Sequence, residues 1–293
     1  MLKSNRTTLI LFLGPAIGAI VLFFFIPVLM ALLISFTDFD IYGLADFSNV
    51  RFTGFKNYML LISDPVFWQA IKNTFYFVVV AGPLSVIVAL YAALLLNNKL
   101  VRFKAIFRLT YFIPVITTLV AVAIVWRFIY HPRFGILNYI LDFLGISAID
   151  WLGDPFWAMP AIIIMSVWKT FGYNMIIFIA GLQNIPVQLY EAAAIEGAGR
   201  WQIFRNITLP MLAPTTLFVS LITMIGMFQI FAEPYVMTNG GPLNQTLSIV
   251  LYMYENGFRW WNMGYSAAIA FILFVFLLIF TIIQFKIQKP ENV

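Results

Sequence analysis

The sequence predicts an all-α membrane protein with six transmembrane helices. Charged residues fill only 10% of its 293 positions, against 62% hydrophobic, whereas a soluble domain carries about a quarter charged residues. Mean hydropathy is +0.95. Charge is also missing in long runs: none falls between Arg6 and Asp38, Lys72 and Lys99, Arg108 and Arg127, Arg205 and Glu233, or Arg259 and Lys286. Each gap supplies the roughly 17–25 residues a helix needs to cross hydrocarbon. A sixth apolar run is interrupted only by Lys169.

The predicted spans are 9–36, 71–97, 105–130, 157–182, 212–237 and 264–286. The first is read as a span and not as a cleavable signal peptide, because its apolar run is too long and no polar cleavage region follows at the right distance. Gly14 and Gly18 within it suit helix packing. Lysine and arginine placement sets the orientation. One side collects Lys3, Arg6, Lys99, Arg102, Lys104, Arg108, Arg200, Arg205, Lys286 and Lys289, while the other carries most of the acids. The first side, with both termini, is therefore expected in the cytoplasm.

The fourth span holds an ammonium near its middle. An unshielded charge there costs roughly 2.5–3.5 kcal/mol on insertion scales, so Lys169 is expected to face a polar cavity or a partner. Trp168, Thr170, Tyr173 and Asn174 cluster around it, and helical spacing puts 169, 170 and 173 on adjoining faces. Thr223 and Gln229 add polar groups to the fifth span. Aromatic faces with a few amides and hydroxyls suit a neutral sugar; ordinary helix–helix hydrogen bonding explains the same residues. Glu233-Pro234 is expected to mark the outer end of the fifth span. "TNGGP" then reads as a tight external turn, with Gly240 and Gly241 tolerating positive φ.

Between the fourth and fifth spans lies "EAAAIEGAGRWQIFRNITLP", residues 191–210. Pro186 suits the first turn of a helix, with Asn184 or Ile185 at its cap. "VQLYEAAAIE" is rich in helix formers, and Gly197 is a natural stop. A second short helix, "RWQIFRNI", runs on to Leu209-Pro210. Two short helices hinged at glycine make an angled knob, and Ala192, Ala193, Gly197 and Ala198 let another surface come close to its backbone. The alternative is an amphipathic helix lying on lipid headgroups. It accounts for Trp201, Ile203 and Phe204 but not for the alanines and glycines.

This stretch resembles the EAA loop of permease subunits in binding-protein-dependent ABC importers. The motif positions are Glu191, Ala192, Ala193, Gly197, Ile207, Leu209 and Pro210, and all match. The residue before the glycine, usually aspartate in that family, is Glu196. "SFTDFD", "FGILN", "GLQNIPVQLYEAA", "FAEPYVMTNGGP" and "GYSAAIAF" resemble the carbohydrate-uptake branch of maltose, lactose and glycerol-phosphate permeases. The resemblance implies one permease domain over residues 1–293, in a bacterial or archaeal inner membrane, with a cytoplasmic coupling loop at 183–211. It implies pairing with a second permease, two cytoplasmic ATPase subunits docked on the loop, an external solute-binding protein and a sugar site near the midplane. ATP and magnesium would be held by the ATPase subunits, and this chain would hold no cofactor of its own.

Other classes fit less well. No Gly-x4-Gly-Lys-Ser/Thr phosphate loop occurs, so ATP hydrolysis is expected on separate subunits. The chain has no cysteine and one histidine, His131, whose expected role is structural or solvated. No catalytic or metal residue is assigned, and no basic cluster large enough for nucleic acid is present. Asn244-Gln245-Thr246 fits the glycosylation pattern, which is common by chance. A secondary transporter driven by an ion gradient would need buried carboxylates, and the spans offer only Glu233. Glycerol phosphate or another polar solute remains an alternative cargo, since Lys169 is suited to a phosphate.

Overall fold

The computed structural model describes residues 6–98 and 100–287. Lys3, Lys99 and Lys289, on which part of the expected orientation rests, lie outside the described residues, as do both termini. The chain forms α1 (Arg6–Ile20), a π turn (Val21–Phe25), α2 (Ile26–Ser35), α3 (Ile41–Ala45), α4 (Lys56–Ser63) and α5 (Pro65–Asn97). There follow α6 (Lys104–Ile116), α7 (Leu119–Ile129), α8 (Ile136–Phe143), α9 (Ala158–Gln183) and α10 (Val187–Ile195). The remainder is α11 (Arg200–Ile203), α12 (Leu209–Met211), α13 (Ala213–Phe228), α14 (Ala232–Met237), α15 (Ile249–Tyr254) and α16 (Met263–Ile287). Among the described residues there is no strand, only one bridge between Thr37 and Phe52. The fold is all-α.

Four helices are long and apolar enough to cross a membrane, Leu11–Ser35, Pro65–Asn97, Ala158–Gln183 and Met263–Lys286; the number is six if each of two bent pairs counts as one span. One pair is α6 and α7, which meet at 100° where the charge-free run predicts a single span over 105–130. Thr117 and Thr118 are extended there. The Thr117 hydroxyl donates to the Pro114 carbonyl at 2.7 Å and so competes with the helical ladder. The other pair is the helix over Arg200–Met211 and α13, bent by 64°, with Pro214 in the first turn of α13.

The predicted fifth span also stops short. Its helix ends at Phe228, and α14 begins after a break at Ile230 and Phe231. Pro234 has no N–H to give the Ile230 carbonyl; the Ser248 hydroxyl takes that acceptor at 2.7 Å. Glu233 therefore sits in the first turn of a separate short helix, not at the tip of a straight span.

Packing divides the chain into two units: Met1–Asp64 with Tyr252–Val275, and Pro65–Leu251 with Phe276–Val293. In the first, the apolar window of the N-terminal helix has none of its residues buried, and a Cβ at Gly18 would meet nothing. The expected packing role of Gly18 finds no partner among the described residues. Asn57 donates from Nδ2 to the carbonyls of Ser35 at 2.9 Å and Thr37 at 2.8 Å, closing the end of α2. Asp40 caps α3 by accepting from the N–H groups of Tyr42 and Gly43. These contacts explain the chemistry of "SFTDFD". Tyr252 and Tyr265 both donate to Asp64 Oδ2, the latter at 2.6 Å.

The second unit is built around α9, which packs on α5, α6 and α13. Glycine lets these backbones approach. A Cβ at Gly172 would collide with the Tyr111 carbonyl of α6, and one at Gly181 with the Thr215 side chain of α13. Phe77, Ile162, Met165, Met175, Phe178 and Phe228 fill the core between them. The segment after α14 is bound to α5: Asn73 Nδ2 donates to the carbonyls of Asn244 at 2.6 Å and Leu247 at 3.0 Å. Positive φ falls on Asn239 and Gly240 within "TNGGP", and Gly241 is not among the positive-φ residues. Thr246 is fully buried, which leaves the glycosylation triplet no accessible hydroxyl. His131 stacks on Phe134 and accepts from the Arg133 N–H through Nδ1, a structural role.

Candidate functional site

Two features of the second unit concern function. The first is a cavity of about 300 Å³, at the small end of the roughly 300–1,000 Å³ typical of ligand sites. Lys169, Thr170, Tyr173 and Asn174 of α9 line it with Thr223 of α13, as expected from the sequence; Ser166, Phe77 and Glu233 complete much of the wall. Trp168 and Gln229 do not belong to it. Trp168 points to the other side of α9, where it meets Trp126, because consecutive helical residues diverge by about 100°. Gln229 is exposed at the C-cap of α13.

Hydrogen bonding organises the wall. Asn174 Nδ2 donates to Thr223 Oγ1 at 2.9 Å and Ser85 Oγ at 3.3 Å. Thr170 Oγ1 lies 3.1 Å from Ser85 Oγ and donates to the Ser166 carbonyl. A polar chain thus joins α5, α9 and α13, so part of the predicted site does serve helix–helix bonding. Lys169 Nζ donates to the carbonyls of Pro114 at 3.1 Å, Val115 at 3.5 Å and Thr117 at 3.1 Å. These carbonyls belong to the last turn and C-cap of α6, beyond the reach of its intrahelical ladder, where the helix dipole is negative. Ser166 is 1% exposed, and its hydroxyl has no partner.

Sequence reading missed Ser166 and Glu233 as wall residues, and Ser85 as the buried partner of Thr170 and Asn174. Ser166 had a signal, since it precedes Thr170 by one helical turn. Ser85 lay in a charge-free run with nothing to mark its face.

The second feature is the hairpin of α10 and α11. Pro186 itself is the N-cap of α10, a correction to the expected Asn184 or Ile185. At the far end Gly197 takes φ +77. Ala198 N–H bonds the Ala193 carbonyl at 2.9 Å and Gly197 N–H that of Ala194 at 3.1 Å, the paired bonds of a glycine C-cap. Gly199 then starts α11, its N–H donating to Gln202 Oε1 at 2.7 Å. Glu191, Ala192 and Glu196 are exposed, Ala193 is buried and Ala198 half-buried. Ile195 is 87% exposed and Trp201 69%, so the knob has an apolar tip. Tyr190 bonds Thr208 across its base at 3.2 Å. The second helix does not stop at Ile207, as it continues through a π turn (Phe204–Thr208) and α12, carrying Leu209 and Pro210.

Tyr190 and Ile207 rest on a buried cluster that includes Met175, Phe178 and Leu182 of α9, Ala93 of α5 and Leu212 and Val219 about α13. Met175 follows Asn174 of the cavity wall directly. The base of the hairpin and the cavity are therefore both built on α9.

Comparison with known proteins follows the same lines. Residues 81–289 match the family described as binding-protein-dependent transport system inner membrane component. The chain is 39% identical over 287 residues to the lactose transport system permease protein LacF of Rhizobium radiobacter, covering 96% of this chain and 94% of that one. It is 34% identical over 291 residues to the arabinooligosaccharides transport system permease protein AraP of Bacillus subtilis, covering 97% and 90%. Its fold is similar to a chain of a bacterial ABC transporter involved in import of the acidic polysaccharide alginate, with TM-score 0.81 at 22% identity over 99% and 97% of the two chains. This chain belongs to the family of binding-protein-dependent transport system inner membrane components.

Proposed function

We propose that this chain, as a single permease domain over residues 1–293, forms one half of the translocation path of an ATP-driven sugar or oligosaccharide importer. A second, similar permease supplies the other half. An external solute-binding protein delivers the sugar, and two cytoplasmic ATPase subunits, which bind ATP and magnesium, dock on residues 191–210. The chain lies in a bacterial or archaeal inner membrane with both termini inside. The observation that carries this reading is a shared helix: the base of the exposed, glycine-hinged hairpin rests on Met175, Phe178 and Leu182 of α9, and α9 also gives the polar cavity Lys169, Thr170, Tyr173 and Asn174. Motion imposed on the knob reaches α9 without a flexible joint.

The sugar is inferred from relatives whose names specify lactose and arabinooligosaccharides. Copurification with an ATPase, followed by uptake of radiolabelled lactose or arabinobiose into vesicles holding the whole importer and its binding protein, tests the reading. ATP-dependent accumulation supports it. Uptake driven by a proton or sodium gradient without ATP would overturn it.

A further inference from the structure

We propose that the turn joining α5 to α6, with the groove beside it, is a binding site for one anionic phospholipid. The groove has a volume of about 430 Å³. Val88, Tyr91 and Leu95 of α5 line it with Phe107 and Tyr111 of α6 and Phe171 of α9. Apart from the tyrosine hydroxyls, its side chains are apolar. Tyr91, Leu95 and Phe107 are exposed, so the groove opens outward along a helix long and apolar enough to cross a membrane. Its shape and chemistry fit an acyl chain.

Charge at the end of the groove identifies the headgroup. Arg102, Lys104 and Arg108 gather there, and no acidic residue occurs between Asp64 and Asp142. Among the described residues none of the three forms an ion pair. Positions 104, 107, 108 and 111 share one face of α6, which sets Lys104 and Arg108 beside two of the rings that line the groove. Lys104 Nζ reaches the Asn97 carbonyl at 3.4 Å, across the turn, and an ammonium has two further donors. Arg108 is half-buried, yet its Nε finds no acceptor in the protein, a state that buried polar groups seldom keep. A phosphate beside the guanidinium would offer one. Free phosphate needs no groove, whereas a lipid accounts for the basic cluster and the apolar channel together. Neither the identity of the cargo nor the sidedness of the turn enters this assignment.

Photolabelling tests the site in the assembled importer. The complex is reconstituted in phosphatidylcholine vesicles that carry a minor share of phosphatidylglycerol or phosphatidylcholine bearing the same diazirine-labelled acyl chain. Crosslinked peptides are identified by mass spectrometry, each normalised to that lipid's labelling of the rest of the chain. Peptides holding Val88 to Leu96 or Phe107 to Tyr111 should take up phosphatidylglycerol about tenfold more than phosphatidylcholine, since each basic side chain beside an anionic headgroup is worth up to about fivefold. Arg102→Gln, Lys104→Gln and Arg108→Gln together should bring the ratio close to one. Equal labelling by the two lipids in the parent chain would overturn the proposal, as would a preference that survives the triple substitution. So would a groove that neither lipid labels, the result expected if a segment of a second permease covers it. Should the triple variant fail to assemble, the parent ratio decides alone.

Discussion

Lys169 reaches from α9 to the Pro114 carbonyl of α6, 3.1 Å away, across 55 residues of sequence. The bond solves two problems together. It supplies donors to carbonyls exposed where α6 breaks, and it gives an ammonium within an apolar helix three acceptors. Lys169→Met keeps length and apolar volume but removes every donor. Charge-assisted bonds contribute about 1.5–3 kcal/mol each at most, with net effects smaller when solvent enters. The variant complex should lose on the order of 2 kcal/mol, read as a lower melting temperature in detergent. Melting identical to wild type would show that the elbow does not depend on Lys169.

Gly172 seats α9 against α6, where a Cβ would strike the Tyr111 carbonyl. Backbone cannot yield as a side-chain tip can. Gly172→Ala should therefore destabilise by about 1–3 kcal/mol, the usual cost of overpacking, despite alanine's better helix propensity. Gly226→Ala, with open space around its Cβ, is the control expected to melt like wild type.

Tyr252 donates to Asp64. Burial first, and the bond to Asp64 second, hold its hydroxyl above the ordinary value of 10.0. A raised value means that folding favours the protonated phenol. The stability tied to it is complete below about pH 10 and lost as pH rises through the raised value. Melting followed upward from about pH 8 should fall in that alkaline window. Tyr252→Phe should cost about 1 kcal/mol at neutral pH and flatten the alkaline fall. An unchanged alkaline profile would contradict the role given to this hydroxyl.

The orientation is open to direct labelling. Single cysteines at Asn98 and Gln202 should react with an impermeant maleimide only after the membrane is broken. Reaction at either position in intact cells would reverse the assigned sidedness.

Much of this architecture was legible because charge gaps report where hydrocarbon can be crossed. Gly197 was legible for another reason: a helix former run ending in glycine has few outcomes besides a positive-φ cap. The elbow at Thr117 and Thr118 was not. Apolar residues continue through it, and its stabilising donor lies on another helix. Glu233 was expected at the tip of a straight span because Glu-Pro looks like a terminus, whereas the helix ends earlier, at Phe228, and Glu233 lies in the first turn of a separate short helix. In the cavity, helical spacing correctly grouped Lys169, Thr170, Tyr173 and Asn174. It included Trp168 because proximity in sequence outweighed the angle between neighbouring side chains.

The hairpin's role turns on Gly197, whose φ is +77 and whose missing Cβ has open space around it. Substitution there tests conformation without a clash inside the chain. Gly197→Val places a β-branched residue in the left-handed region, costing on the order of 1 kcal/mol or more, while Gly197→Asn tolerates that region far better. The decisive measurement is sugar uptake and ATP hydrolysis in the same vesicles, holding the complete importer at equal permease levels. Gly197→Val should bind ATPase weakly or hydrolyse ATP without matching uptake, and Gly197→Asn should recover much of the coupling. Wild-type uptake per ATP in Gly197→Val would contradict a coupling role for residues 191–210.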